Sequence, residues 1–132
     1  MIIFFDTNII FSAALWPNSK PAMVLEFASL HHHLMVCSQN VLESCEIILR
    51  KAPNRINALL RFYDKFQIDL VPSISFGNEL LIRDETDQPI LNAALFYGAD
   101  IILTGDKDFL SLNLKYPKCM TAAEFMNSYM RD

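Results

Sequence analysis

The chain has no apolar run approaching the roughly 20 residues that a membrane-spanning helix needs, so a helical membrane protein is excluded. It has no positive excess either. Eleven Lys and Arg stand against 15 Asp and Glu, a formal net charge of −4, which argues against generic electrostatic coating of nucleic acid while leaving local binding open. The three cysteines, Cys37, Cys45 and Cys119, form an odd set without CxxC spacing and lie in apolar segments. Buried reduced thiols are expected from them, rather than a disulfide framework or a zinc site. The opening Met1-Ile2-Ile3-Phe4-Phe5-Asp6 lacks a basic region and meets an acid at once, unlike a secretory signal, so a cytoplasmic location is expected. There is no internal repeat, low-complexity tract or linker, and 132 residues suit one domain spanning positions 1–132.

What is present is bulky apolar material and periodic structure. The apolar share is 52%, with ten Phe and six Met to fill a core or a partner-binding face. Ile2 to Phe5 is a short continuous apolar run, which suits a strand buried on both faces; Leu34 to Cys37 reads as the next strand, Ile68 to Val71 as a third candidate stopped by Pro72, Asp100 to Leu103 as the clearest buried strand, and Cys119-Met120 is a candidate fifth. Helical spacing separates them. Asp6-Thr7-Asn8 supplies capping side chains, Pro21 suits a first helical turn, and Ser38 is placed to cap the helix carrying Val41, Leu42, Cys45, Ile48 and Leu49. Ile56, Leu59, Leu60, Tyr63 and Phe66 recur at helical spacing, and a short helix is expected near Leu80. Asp87 can cap a helix from Gln88 to Tyr97 that Gly98 stops, and Thr121-x-x-Glu124 is a capping-box pattern. Strands alternating with helices indicate crossover units. The fold class expected is α/β, three-layer α/β/α, with a central, mostly parallel sheet of about five strands.

Four acidic motifs fall where the chain leaves strands or enters helices: Asp6-Thr7-Asn8, Glu43-x-x-Glu46, Asp84-x-x-Asp87 and Thr104-Gly105-Asp106-Lys107-Asp108. In an open parallel sheet the ligand crevice lies outside the carboxyl ends of the strands, so these carboxylates can converge. Converging carboxylates repel one another, and a hard cation such as Mg²⁺ or Mn²⁺, which takes oxygen ligands, relieves the repulsion. Gly105 is read as permitting a tight turn between β-strand and acids. Other groups have plainer readings. His31-His32-His33 suits a helix end or solvated turn, Trp16 packing, Lys107 local charge balance, and the basic run Arg50, Lys51, Arg55, Arg61 and Lys65 a solvated helix face or a phosphate contact.

The N-terminal Ile-Phe-Phe-Asp-Thr-Asn, the middle Ser38-x-x-Val-Leu-Glu, and the block from Asp84 through Thr-Gly-Asp-Lys-Asp-Phe-Leu110 together resemble a PIN domain, over essentially the whole chain. The resemblance extends to the VapC-type toxins of toxin–antitoxin pairs. It implies a metal-dependent ribonuclease using Mg²⁺ or Mn²⁺, with Asp6, Glu43, Asp87 and Asp106 as the acidic quartet, Asp6, Asp87 and Asp106 as metal ligands, and Asp108 as an auxiliary acid. Asn8 and Thr104 are implied to orient ligands or waters. Many relatives carry the helical acid one residue later than Glu43, where this chain has Ser44, so either Glu43 or Glu46, which share a helix face, completes the set. RNA as substrate, a cognate antitoxin and a homodimer are the partners implied. The other reading is a catalytically degenerate PIN-like or receiver-like module that binds metal, RNA or protein without cutting. A phosphatase of the haloacid-dehalogenase type wants a second Asp at position 8, where this chain has Asn8.

Overall fold

A computed structural model describes residues 1–75 and 80–130. Five strands, β1 (Ile2–Phe5), β2 (His33–Cys37), β3 (Asp69–Val71), β4 (Ile101–Leu103) and β5 (Lys118–Met120), form one sheet in the order β3-β2-β1-β4-β5. Every neighbouring pair is parallel, with Phe5 beside Val36 on one side and Leu103 on the other. The chain builds outward from β1 to β3, then returns to the opposite side of β1 to lay down β4 and β5. That reversal puts the topological switch between β1 and β4.

The pleat sorts the strands' apolar residues into two layers. Ile3 and Phe5 of β1, Leu34 and Val36 of β2, and Ile101 and Leu103 of β4 face one core, which is closed by α1 (Thr7–Leu15), α2 (Lys20–His31), α3 (Ser38–Lys51), α4 (Ile56–Phe66) and α7 (Ala122–Tyr129). The alternate residues Phe4, Met35, Cys37 and Ile102 face the other core, under α5 (Gln88–Phe96) and α6 (Lys107–Leu110). This is the three-layer α/β/α arrangement expected. Strands buried on both faces account for the unbroken apolar runs, since neither side of the pleat meets water. Ile3, Phe4 and Phe5 are all completely buried, and each large apolar side chain so removed from water stabilises the fold by about 1.5 to 3 kcal/mol.

Several local expectations hold. Pro21 and Pro89 lie in first turns, Gly98 ends α5 with φ of 73°, and Thr121 and Glu124 form the reciprocal capping box of α7. The three cysteines are unpaired, and burial raises their thiol pKa values, that of Cys119 to about 11. Others are corrected. Ser38 is the first residue of α3 rather than its cap; Cys37 holds the cap position and makes no side-chain capping bond. Trp16 is 54% exposed, with the Arg55 guanidinium 5.7 Å from its ring centroid. The histidine run is divided: His31 ends α2, while His33 opens β2 and pairs with Asp69 across the sheet. The helix expected near Leu80 lies in part outside the described residues, and Leu80 to Asp84 is not helical. No helix among the described residues is long and apolar enough to cross a membrane.

Candidate functional site

Asp6 and Asp106 each follow a strand and precede a helix. Because β1 and β4 are parallel neighbours, their carboxyl ends deliver both residues to the same edge of the sheet. Each aspartate also caps the helix it precedes: Asp6 Oδ1 accepts the Asn8 N–H at 3.4 Å, and Asp106 Oδ1 accepts the Asp108 N–H at 2.8 Å. The capping and site readings of these two residues are therefore the same placement. A helix N-terminus also favours negative charge near it.

Thr104 is completely buried between them. Its hydroxyl donates to Asp6 Oδ2 at 2.9 Å and accepts the Asp106 N–H at 2.9 Å. That side-chain bond shapes the turn after β4. Gly105 has no positive φ, and a Cβ there would meet nothing within 4 Å, so the turn does not require the glycine expected to permit it.

Asp87 is different in kind. It precedes α5 with helical backbone and makes no capping bond, contrary to the expected cap, because the 3-10 turn Glu85–Asp87 leads into α5 and is itself capped by Asp84. The Asp87 carboxyl is pushed up to about 6, by burial first and then by the charges of Asp106, Asp84, Asp6 and Asp108. Asp6 is also raised, chiefly by burial, against the lowering bonds from Thr104 and Asn8. Asp84 is lowered by its two bonds from Thr86.

A cleft of about 250 Å³ gathers these groups, lined by Asp6, Asn8, Glu43, Asp87 and Asp106 together with Thr7, Asn40, Ser44, Ile47 and Ile90. Glu43 thus stands in the cleft with the three aspartates. Glu46 does not line it. The α3 face is set by Val41 and Ile48, both buried in the core, which leaves Asn40, Glu43, Ser44 and Ile47 toward the cleft. Ser44 points its hydroxyl back to the Asn40 carbonyl at 2.9 Å. Asp108 lies just outside, held by the exposed Arg83 through an Nε to Oδ1 contact of 2.9 Å. Oxygens of Asp84, Asp87 and Asp108 lie within 4.8 Å of one another. This trio and the cleft-lining quartet overlap only at Asp87. The cleft set is the better candidate for holding an ion, since in the trio Asp84 is already bonded to Thr86 and Asp108 to Arg83.

The donor set suits a hard divalent cation, since the ionisable groups lining the cleft are all carboxylates, with no thiol or imidazole among them. The hydroxyl of Thr7, a residue that also lines the cleft, is buried without a hydrogen-bond partner among the described residues. In the sequence Thr7 reads only as a capping side chain, and Asn40 carries no motif. Asn40 was legible in principle, standing three residues before Glu43 and so on its face.

Residues 2–108 match the PIN domain family model. The chain belongs to the PIN domain family. PIN domains are generally nucleases that use divalent metals, and the carboxylates above occupy the matched region. An uncharacterized protein of Methanocaldococcus jannaschii is 30% identical to this PIN domain over 115 residues, covering 81% of this chain and 72% of the relative. No solved structure matches the chain.

Proposed function

We propose that this PIN domain is an endoribonuclease that hydrolyses RNA phosphodiester bonds with Mg²⁺ or Mn²⁺ held by Asp6, Asp87 and Asp106. The observation that carries the proposal is the convergence of those three carboxylates and Glu43 on one cleft at the switch between β1 and β4. A bound cation of this class lowers the pKa of a coordinated water and offsets the charge of the scissile phosphate. The chain's own part is placement. Thr104 fixes one Asp6 oxygen and, through the Asp106 N–H, the start of α6, so that two carboxylates from different strands keep one relative position. Asn8 and Glu43 also line the cleft, which supports roles for them in contacting a coordinated water or the ribose-phosphate backbone. Asp108, tied to Arg83, lies at the rim as an auxiliary acid. Attack by water, with no covalent intermediate, leaves a 5′-phosphate and a 3′-hydroxyl.

Purified protein incubated with a mixed-sequence single-stranded RNA and Mn²⁺ is expected to cut it, and Asp106→Asn to abolish cutting while the exposed Lys118→Ala does not. A folded protein that leaves the whole pool intact sinks the ribonuclease reading in favour of a binding module. The VapC-type resemblance supports a toxin role with a cognate antitoxin, and a neighbouring small gene is its test. A homodimer is supported by the exposed Leu42, Leu49 and Leu60 on α3 and α4, which offer apolar area to a second copy; sedimentation measures it.

A further inference from the structure

No lysine or arginine lines the acidic cleft among the described residues, yet an RNA strand entering it brings phosphates on both sides of the one to be cut. Arg83 stands at the rim. Its Nε donates to Asp108 Oδ1 at 2.9 Å, and oxygens of Asp108 and of the cleft-lining Asp87 lie within 4.8 Å of each other. The Arg83 pKa is raised by that bond first and then by the charges of Asp108, Asp84 and Asp106, so the field of the cleft's own Asp106 reaches it. The two partners are unequal: the Arg83 side chain is 87% exposed and that of Asp108 15%. Asp108 is itself anchored, its N–H bonded to Asp106 Oδ1 at 2.8 Å. An ion pair so open to water contributes little to folding. What it does is hold a guanidinium in one place, with its Nη groups free of any partner among the described residues.

We infer that Arg83 is a substrate-binding residue, whose Nη groups take a backbone phosphate of the RNA strand next to the one cut in the cleft. A guanidinium presents several N–H donors in one plane, and engaging Nε with a carboxylate leaves the rest to form the charge-assisted bonds that phosphate oxygens accept. Because Asp108 already fixes the long side chain, less freedom is lost when the strand arrives. Asp108 is thereby a positioning residue that acts through Arg83. A phosphate contact carries no base preference; it sets where the strand lies across the cleft. The inference rests on the ribonuclease reading given above and adds to it a cation that serves the strand rather than the metal.

The test follows binding of a labelled, mixed-sequence single-stranded RNA by fluorescence anisotropy at several salt concentrations, in an Asp106→Asn background so that nothing is cut. Adding Arg83→Gln is expected to weaken binding about tenfold at low salt, the contribution of one charge-assisted hydrogen bond. It is also expected to make the slope of log affinity against log salt shallower by about 0.7, the share of one phosphate contact on a single strand. Arg83→Lys keeps the charge and should keep the slope. Lys118→Ala, at the start of β5 and so at the end of the sheet away from the cleft, should change neither. Affinity and slope in Arg83→Gln equal to those of the background overturn the inference. So does Arg83→Lys losing the slope as Arg83→Gln does, since charge on a phosphate is what sets it. A background protein that binds no RNA overturns it too. Cutting of the same RNA by the unsubstituted protein with Mn²⁺ is read separately, so failure of the ribonuclease reading and failure of the Arg83 contact are told apart.

Discussion

The hydroxyl of Thr104 joins Asp6 to the turn that carries Asp106, giving one hydrogen bond to the carboxylate and receiving one from the following backbone, each 2.9 Å long. Substituting Thr104→Val keeps the buried volume but removes both bonds, leaving the Asp106 N–H without its acceptor. A loss of about 1 to 3 kcal/mol in unfolding free energy is expected from that orphaned donor. The bond from Thr104 lowers the Asp6 pKa, so its removal raises that pKa further above the usual carboxylate range. Urea unfolding measures the first effect and carbon-detected NMR titration the second; an unchanged Asp6 pKa contradicts the assigned bond.

Stability should depend on pH through Asp87. Its carboxyl moves from 3.8 in the unfolded chain to about 6 in the folded one, so the folded state holds the proton more tightly. The contribution favours folding below the lower value and is lost as pH rises through the upper one, which places the fall in metal-free stability between 3.8 and about 6. Asp6, raised in the same direction, adds to the same trend. Melting temperatures recorded across that window without metal should fall and then level, and Asp87→Asn should flatten the fall. Mg²⁺ affinity should rise over the same range, because the cation binds the ionised form.

The sheet was legible because β1, β2 and β4 are buried on both faces, which leaves an unbroken apolar run in the sequence. Asp6 and Asp106 were legible for a related reason: a polar residue that ends such a run can only stand at the sheet's edge. What escaped was hydrogen-bond ownership. Composition and spacing do not say that Asp84 rather than Asp87 caps the turn before α5, nor that burial and four neighbouring acids raise the Asp87 pKa. Nor do they distinguish two threonines beside aspartates, one fully bonded and one orphaned. Gly105 misled because glycine after a strand suggests a left-handed turn, whereas the Thr104 side chain closes this turn without one.

At the far end of the chain, Thr121 Oγ1 accepts the Glu124 N–H at 3.1 Å, and the Glu124 carboxylate accepts the Thr121 N–H at 3.3 Å. This box starts the helix that delivers Phe125, completely buried, into the core, where its ring meets Phe27 of α2 edge-on. Thr121→Ala should cost about 1 kcal/mol by removing one cap bond. Because Thr121 does not line the acidic cleft, Mn²⁺ affinity should stay at the wild-type value, making this variant a control for stability effects in metal titrations.

Helical geometry separates Glu43 from Glu46. Residues three apart share a broad face, yet the two differ in turn by about 60°, since each step along the helix rotates about 100°. With Val41 and Ile48 fixed in the core, Glu43 lines the cleft and Glu46 does not. Ser44, one residue further on, also lines the cleft, so the α3 face presented there spans both positions and an acid at either one faces the same space. Glu43→Gln should lower RNA cleavage by at least tenfold, as loss of a group positioning a metal's surroundings does. Glu46→Gln should cut at the wild-type rate, because its side chain stands outside the cleft. The double change Glu43→Ser with Ser44→Glu should restore part of the activity. Equal losses in Glu43→Gln and Glu46→Gln contradict the placement of α3, and no loss in either removes Glu43 from the proposed site while leaving the three aspartates.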